Sequence, residues 1–364
     1  MFYKYKKIFV IFILSSIALS VLGYFSYKDY KRHHITLIWN EKVECNDDIL
    51  KVINSPIIQR LKHIDQSGPA RYLGPKLPSF TRYEHSIGVL ALLRKFNLSF
   101  KEQIAGLLHD ASHTVFSHVG DFIWADNIND YAESSYQDSI HMKYLKDSGC
   151  EKTLKEIGLS LSDIDIDKNE YLALDQSLPD MCADRIQYNI HTGLLIGKIS
   201  KSEAKDIIDS LGLKNNKWFF NNINAAKKFA ELSLYFTQNF WGAKWNTSMN
   251  IHFANALKRA LKLKILTSKD MFSTDKSVVN KLIKNQDQII QLNLQQCKQP
   301  VSRINGKKYK KQQFYPKFRG VDPLVIDRQG NLKRLSGIDI MFKNHYNEVK
   351  LWCKTGFEID ILSE

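Results

Sequence analysis

The sequence predicts a mainly α-helical protein: a helical bundle with a small mixed α/β lobe at its C-terminal end, preceded by an N-terminal hydrophobic segment. Three observations predict it. Thr81-Arg82-Tyr83-Glu84 and Ser99-Phe100-Lys101-Glu102 both fit the capping box, and each opens an apolar run with helical spacing. Past roughly residue 300, short strand-like runs replace that spacing. Residues 8–25 carry no charged side chain. The 364 residues are 44% apolar and 25% charged, an ordinary globular mixture that excludes wholesale disorder, a collagen-like repeat and a multi-span membrane protein. Cys45, Cys150, Cys182, Cys297 and Cys353 show no CxxC spacing and an odd total, which suggests neither a disulfide scaffold nor a zinc finger.

Taken in order, the chain divides into residues 1–27, a signal peptide or single membrane anchor; 28–255, the helical domain; and 256–364, a basic C-terminal lobe. Eighteen uncharged residues from Ile8 to Phe25 span roughly 27 Å as a helix, barely a bilayer's hydrocarbon core. A signal peptide would be cleaved near Ala18-Leu19-Ser20 or Val21-Leu22-Gly23 and the protein exported. An uncleaved anchor would be followed at once by Lys28, Lys31 and Arg32. Lys4, Lys6 and Lys7 upstream balance these, so the positive-inside rule does not choose the side. A buried amphipathic helix fits poorly, because the run is apolar all round.

The Thr81 box leads into Ile87, Val89, Leu90, Leu92 and Leu93, and the Ser99 box into Ile104, Ala105, Leu107 and Leu108. Ser177 with Pro179 is read as the start of a helix running to His191 and ended by Gly193. Between Phe116 and Tyr136 the sequence is polar and reads as a loop flanking the pocket. Residues 222–240 and 248–265 read as amphipathic helices. In the C-terminal lobe, 323–326, 338–342, 349–352 and 357–361 read as strands, with a turn at Gly330-Asn331. Residues 298–354 hold fourteen Lys/Arg against four Asp/Glu. That surplus suits a phosphate-rich partner such as a nucleotide, nucleic acid or anionic membrane, or is simply a solvated face. No helix-turn-helix, zinc finger or RNA-recognition motif accompanies it.

The stretch that carries chemistry is Gly106-Leu107-Leu108-His109-Asp110-Ala111-Ser112-His113. A helix ending in His-Asp sets two metal-competent side chains on neighbouring positions, and His113 shares the His109 face if the helix continues. His85, in the first turn of the preceding helix, and Asp184, on a later one, would complete a set of two imidazoles and two carboxylates. Such donors suit one divalent ion per site: Mn, Fe, Zn, Co or Ni, and Mg with enough waters. The ion would acidify a water and draw charge from a phosphoryl oxygen, Arg82 and Arg185 would neutralise phosphate, and His113 would protonate the leaving oxygen.

The order His85, His109-Asp110, Asp184 resembles the signature of the HD-domain metal-dependent phosphohydrolases. More narrowly, Thr81-Arg82-Tyr83-Glu84-His85-Ser86-Ile87-Gly88-Val89 and His109-Asp110-x-x-His113-x-x-Phe116-Ser117-His118 are similar to TRFEHSLGV and HDxGHxPFSH of the dNTP triphosphohydrolase (dGTPase-like) branch. The resemblance, over residues 50–200, implies an HD fold and a nucleotide substrate. It implies metal ligation by His85, His109, Asp110 and Asp184, and catalysis by Asp110 and His113. Substrate binding is implied for Arg82, Gln66, His118, Arg185 and Tyr188, and nucleotide-gated homo-oligomers are common in that branch. Three positions depart. Tyr136-Gln137 stands where the branch has a His-Glu pair, with His141 five residues on; Ser112 replaces a glycine; Thr192 replaces a sugar-binding Asp. The expected function is therefore hydrolysis of a nucleotide phosphate ester, most closely dNTP triphosphohydrolysis. The alternatives are phosphomonoester or phosphodiester hydrolysis, metal-dependent nucleotide sensing without turnover, and a membrane-tethered nucleic-acid or lipid-surface binder.

Overall fold

The computed structural model describes residues 33–74, 77–125, 129, 135–327 and 329–363. The hydrophobic stretch at 8–25 lies outside them, and among the described residues no helix is long and apolar enough to cross a membrane. Helices carry most of the chain. Three small sheets join them: an antiparallel hairpin of His33–Thr36 with Lys42–Cys45, an antiparallel pair of Tyr309–Phe314 with Phe357–Leu362, and a four-stranded sheet. The last runs Leu211–Lys214, Lys217–Phe220, Leu324–Ile326, Leu332–Arg334, and its central pair is parallel, with Phe220 opposite Val325. A single cluster of buried apolar side chains extends from Leu37 to Ile359.

The centre of the fold is the Arg82–Lys95 helix, buried along almost its whole length from Arg82 to Leu93 because it packs on both the Phe100–Leu108 and the Ala183–Leu195 helices. Its capping box is complete: Thr81 Oγ1 accepts from the Glu84 amide at 3.2 Å, and Glu84 Oε2 accepts from the Thr81 amide at 2.7 Å. The second box is half made. Ser99 Oγ accepts from the Glu102 amide, but the Glu102 side chain turns into the protein instead of back to Ser99. Burial there pushes its carboxyl above the usual range.

Four expectations about local structure are corrected. The helix foreseen from Ser177 begins at Ala183. The Ala173 and Leu174 carbonyls accept from the Ala183 and Asp184 amides, so the first donors of the helix are satisfied by tertiary partners. Gly193 lies inside this helix, where its missing Cβ makes room for Leu232 and Ile199. The region after Phe116 is not all loop, since Val119–Trp124 is helical, while 126–128 and 130–134 lie outside the described residues. Residues 338–342 and 349–352 are not strands: Asp339 caps a helix, Ile340–Thr355, whose Phe342, Tyr346, Val349 and Cys353 face inward at helical spacing. Ile340 and Leu351, off that stripe, are left outside.

A buried carboxylate ties the C-terminal half to the walls of the cleft described below. Asp275 accepts from the amides of Asp65 at 2.8 Å and Phe116 at 2.7 Å, and the Val115 amide donates to the Met271 carbonyl. These bonds, with the local one from the Ser117 amide to the Thr114 carbonyl, hold Phe116 and Ser117 at φ 60° and 56°, a left-handed pair. Burial raises the Asp275 carboxyl to about 7. In the unfolded chain it ionises near pH 4. Protonation therefore favours the folded state: the contribution is complete below about pH 4 and falls away as pH rises to about 7. Asp275→Asn is expected to flatten that part of the stability profile, seen as a native-minus-variant difference in urea unfolding at stepped pH. A difference that does not change between pH 4 and 7 would refute this account of Asp275.

Candidate metal centre and phosphate cleft

The Phe100–Leu108 helix stops just short of the His-Asp pair, and the chain continues as turns rather than as helix. The Arg60 guanidinium holds those turns by donating to the carbonyls of Ala111 at 2.9 Å and His113 at 2.6 Å. His109 Nδ1 donates to the Gly106 carbonyl at 2.7 Å, and His85 Nδ1 donates to Gln187 Oε1. Both imidazoles thus turn Nε2 toward one point. The two Nε2 atoms are 3.2 Å apart, and Asp184 Oδ1 lies 2.9 Å from that of His85 and 3.7 Å from that of His109. Three electron-rich atoms this close require a cation, which is the fit expected of a divalent metal. The same demand appears in His109: burial opposes its charge, yet Asp110 and Asp184 lift its pKa to about 9.

Asp110, the fourth predicted ligand, stands 3.6 Å from each His Nε2 and is already engaged. Its Oδ2 accepts from Arg82 Nη1 at 2.7 Å and its Oδ1 meets His113 Nε2 at 3.1 Å, all three groups being buried. Burial works against the carboxylate, but Arg82, His109 and His113 hold it ionised, well below the usual range. His113 does not continue the His109 face as it would on a helix; the turn brings it over Asp110 instead. Burial and then Arg82 lower its pKa to about 3, leaving it neutral with Nδ1 buried and unpartnered.

Gln187 was not foreseen, although it sits three residues after Asp184 and so on the same helical face. It accepts from His85 and donates to His191 Nδ1 at 3.1 Å, fixing the His85 ring. Gly88 makes this geometry available, because a Cβ there would come within 2.3 Å of the Gln187 amide nitrogen. Gly88→Ala is expected to displace Gln187, lower metal affinity by roughly 10–100-fold and cost about 1–3 kcal/mol. Metal titration and denaturant unfolding would check it; unchanged affinity would show that Gln187 does not orient His85.

The positions that depart from the family pattern also have a place. Gln137 donates to the His109 carbonyl at 2.8 Å and to Ser112 Oγ at 3.0 Å, and Ser112 Oγ bonds His141 Nδ1 at 2.8 Å. These groups brace the His-Asp turn from behind. Tyr136 stacks on Trp124 at 3.8 Å, and Thr192 Oγ1 is buried without a partner.

Beside the centre opens a cleft of about 960 Å³, measured out to its mouth. Arg82 joins the two. Its Nη1 faces Asp110, its Nε donates to Ser117 Oγ at 3.0 Å, and its Nη2 is buried and unpartnered. Of the predicted substrate residues, Gln66, Arg82, His118 and Tyr188 line the cleft, with Gln66 Oε1 buried and unpartnered. His118 meets Asp121 at 3.0 Å. Arg185 is not brought into the lining: its guanidinium donates to the carbonyls of Gln176 and Asp180 and to Cys182 Sγ, and so holds the 176–182 loop. Sequence reasoning missed Phe240, Trp241 and Trp245, which line the cleft from a π-helical turn and the helix after it. It also missed Lys317 and Arg319, which come from the basic segment that composition had marked.

The sequence profile of the family described as HD domain matches residues 82–158. The Bacillus subtilis protein YdhJ, itself uncharacterized, is 35% identical over 253 residues, 69% of this chain and 72% of its own length. A metal-dependent phosphohydrolase, cns2 of Cordyceps militaris, is 30% identical over 174 residues, 48% of each chain. The deoxynucleoside triphosphate triphosphohydrolase SAMHD1 of Xenopus laevis is 31% identical over 139 residues, 33% of this chain but only 22% of its own. Among solved structures, a phosphohydrolase from Bacteroides thetaiotaomicron superposes with a TM-score of 0.62 at 15% identity, over 91% of this chain and 98% of its own, a likeness of fold.

Proposed function

Because the chain belongs to the HD-domain family of metal-dependent phosphohydrolases, we propose that it hydrolyses nucleotide phosphate esters, deoxynucleoside triphosphates in particular, with His85, His109, Asp110 and Asp184 as the metal set. One observation carries this reading: Arg82, which binds Asp110 beside the donor cluster, lines a cleft that also holds Lys317, Arg319 and the rings of Tyr188, Phe240, Trp241 and Trp245. A bound divalent ion supplies Lewis acidity at a phosphoryl oxygen and acidifies water. Arg82 keeps Asp110 ionised and offers Nη2 to a phosphoryl oxygen. His113, anchored through Nε2 on Asp110, moves a proton at Nδ1. Tyr188 and Trp241, 5.7 Å apart edge to face, give the organic part of the ester an apolar wall.

A second reading, nucleotide sensing without turnover, draws on Gln137. It braces the His109 turn, and no acid–base side chain replaces the His-Glu pair there. A panel of dNTPs, NTPs, monophosphates and a generic phosphodiester with the Mn-loaded protein separates the two. Tripolyphosphate with nucleoside is the expected product. Orthophosphate or diester cleavage would move the protein to another HD activity, and no product from a metal-replete protein would favour sensing. For residues 8–25 the reading remains membrane targeting, through an anchor or a cleaved signal. Full-length protein recovered in the soluble cell fraction would refute it.

A further inference from the structure

The three most exposed large apolar side chains among the described residues are Met341, Leu351 and Ile340, at 70%, 64% and 62%. All three stand on one helix, Ile340–Thr355, whose opposite face is taken by the core through Phe342, Tyr346, Val349 and Cys353. An apolar residue standing singly on a surface is ordinary, but three on the outside of one helix are not. At 3.6 residues per turn, Ile340, Asn344, Asn347 and Leu351 make one outward ridge about 17 Å long. Met341 widens the ridge at its N-terminal end, with Ile338, 40% exposed, just before the helix.

The adjoining row is Lys343, Lys350 and Lys354, all exposed and none in an ion pair among the described residues. Glu348 is the one acidic residue of the helix, and no lysine of the helix lies three or four positions from it. Asp339, at the cap, is already paired with Lys227 at 2.7 Å.

Whatever covers this face has to receive both kinds of side chain. A second copy of the chain presents the same lysines, with only Glu348 to meet them. Nucleic acid would neutralise the lysines but leave the aliphatic ridge in water, and the ridge carries no ring to stack on a base. The surface of an anionic bilayer takes both, because aliphatic side chains enter the acyl boundary while lysines reach the headgroup phosphates.

We propose that the outer face of the Ile340–Thr355 helix docks flat on an anionic phospholipid surface, with Ile340, Met341 and Leu351 in the acyl boundary and Lys343, Lys350 and Lys354 on the headgroups. The inference stands apart from the phosphohydrolase reading and from residues 8–25. Three aliphatic side chains bind a bilayer weakly by themselves, so the lysines make docking depend on anionic lipid and on salt. Tyr346, on the inner face, packs edge to face at 5.1 Å on Phe318, which sits between two residues that line the cleft. A docked helix therefore holds the cleft close to the bilayer.

The full chain is mixed with vesicles of phosphatidylcholine, alone or with about 30% phosphatidylserine. Both carry a photoactivatable diazirine on the acyl chain, and the label is mapped by mass spectrometry. Label within residues 340–355 is expected with phosphatidylserine, at least about fivefold above phosphatidylcholine alone, and should fall at high salt. Label within residues 8–25 reads the separate membrane-targeting assignment, so one experiment scores the two apart. The triple change Lys343→Gln, Lys350→Gln and Lys354→Gln should reduce the label at 340–355 by about tenfold or more, and the pair Met341→Gln and Leu351→Gln likewise. Circular dichroism checks that both variants are folded. No label at 340–355, or label indifferent to phosphatidylserine and to the lysines, would overturn the proposal. With the helix unlabelled, duplex DNA binding lost in the lysine variant would assign the face to nucleic acid instead. A dimer lost in the Met341→Gln, Leu351→Gln variant would then assign it to a second copy.

Discussion

A chain carrying His109→Ala is expected to fold normally, bind no metal at the centre and lose hydrolysis by roughly 10³-fold or more. The argument is geometric. His109 Nε2 stands 3.2 Å from the Nε2 of His85 and within 3.7 Å of Asp184, so its removal leaves one imidazole and one close carboxylate, too few for tight binding. The structural cost is small, because the ring's one bond outside the cluster goes to the Gly106 carbonyl and is worth about 1 kcal/mol. Metal content, turnover and far-UV circular dichroism together check the result. Chelation of the native chain should mimic it, and added Mn should reverse the chelation but not the mutation. A metal-free variant that keeps native turnover would end the phosphohydrolase assignment of this centre.

The second large effect concerns stability as well as activity. Arg82 and Asp110 form an ion pair at 2.7 Å with 3% and 4% of their surfaces exposed. Arg82→Ala leaves the Asp110 carboxylate buried without its principal counter-charge and removes a donor from Ser117. The expected loss is about 3–5 kcal/mol in equilibrium unfolding, with turnover falling alongside. Arg82→Lys should fall between, since an ammonium keeps the charge but cannot span Asp110 and Ser117 with a rigid fork. The double variant Arg82→Leu/Asp110→Leu should lose less stability than the two single changes added together, because no unpaired charge remains. A loss below about 1 kcal/mol for Arg82→Ala would show that water or a rearranged neighbour compensates Asp110.

Much of this site is legible in the chain's local signals. The capping box at Thr81 places Arg82 and His85 in one first turn. His109 and Asp110 end an apolar helix, and Asp184 opens another. Each follows from residues a few positions apart, where helix geometry alone sets the spacing. The signals that misled were local too. Pro179 looked like a helix start, but the Ala173 and Leu174 carbonyls decide where that helix begins. The Ile338–Phe342 run looked like a strand, and the inward stripe from Phe342 to Cys353 overrides that propensity. Arg185 looked available for phosphate, but the carbonyls of Gln176 and Asp180 take its donors.

The sequence by itself determined the helical class, the basic character of the C-terminal segment, and His85, His109, Asp110 and Asp184 as candidate donors, because composition, caps and short spacings are properties of the chain. The tertiary structure alone decided that Gln187 reaches His85 past Gly88, that Asp275 closes the Phe116 turn, and that Lys317 and Arg319 enter the same cleft as Arg82. Those contacts join residues about one hundred or more positions apart. Their partners are chosen by packing and by the cost of leaving a buried charge or amide unsatisfied, neither of which any local stretch of sequence records.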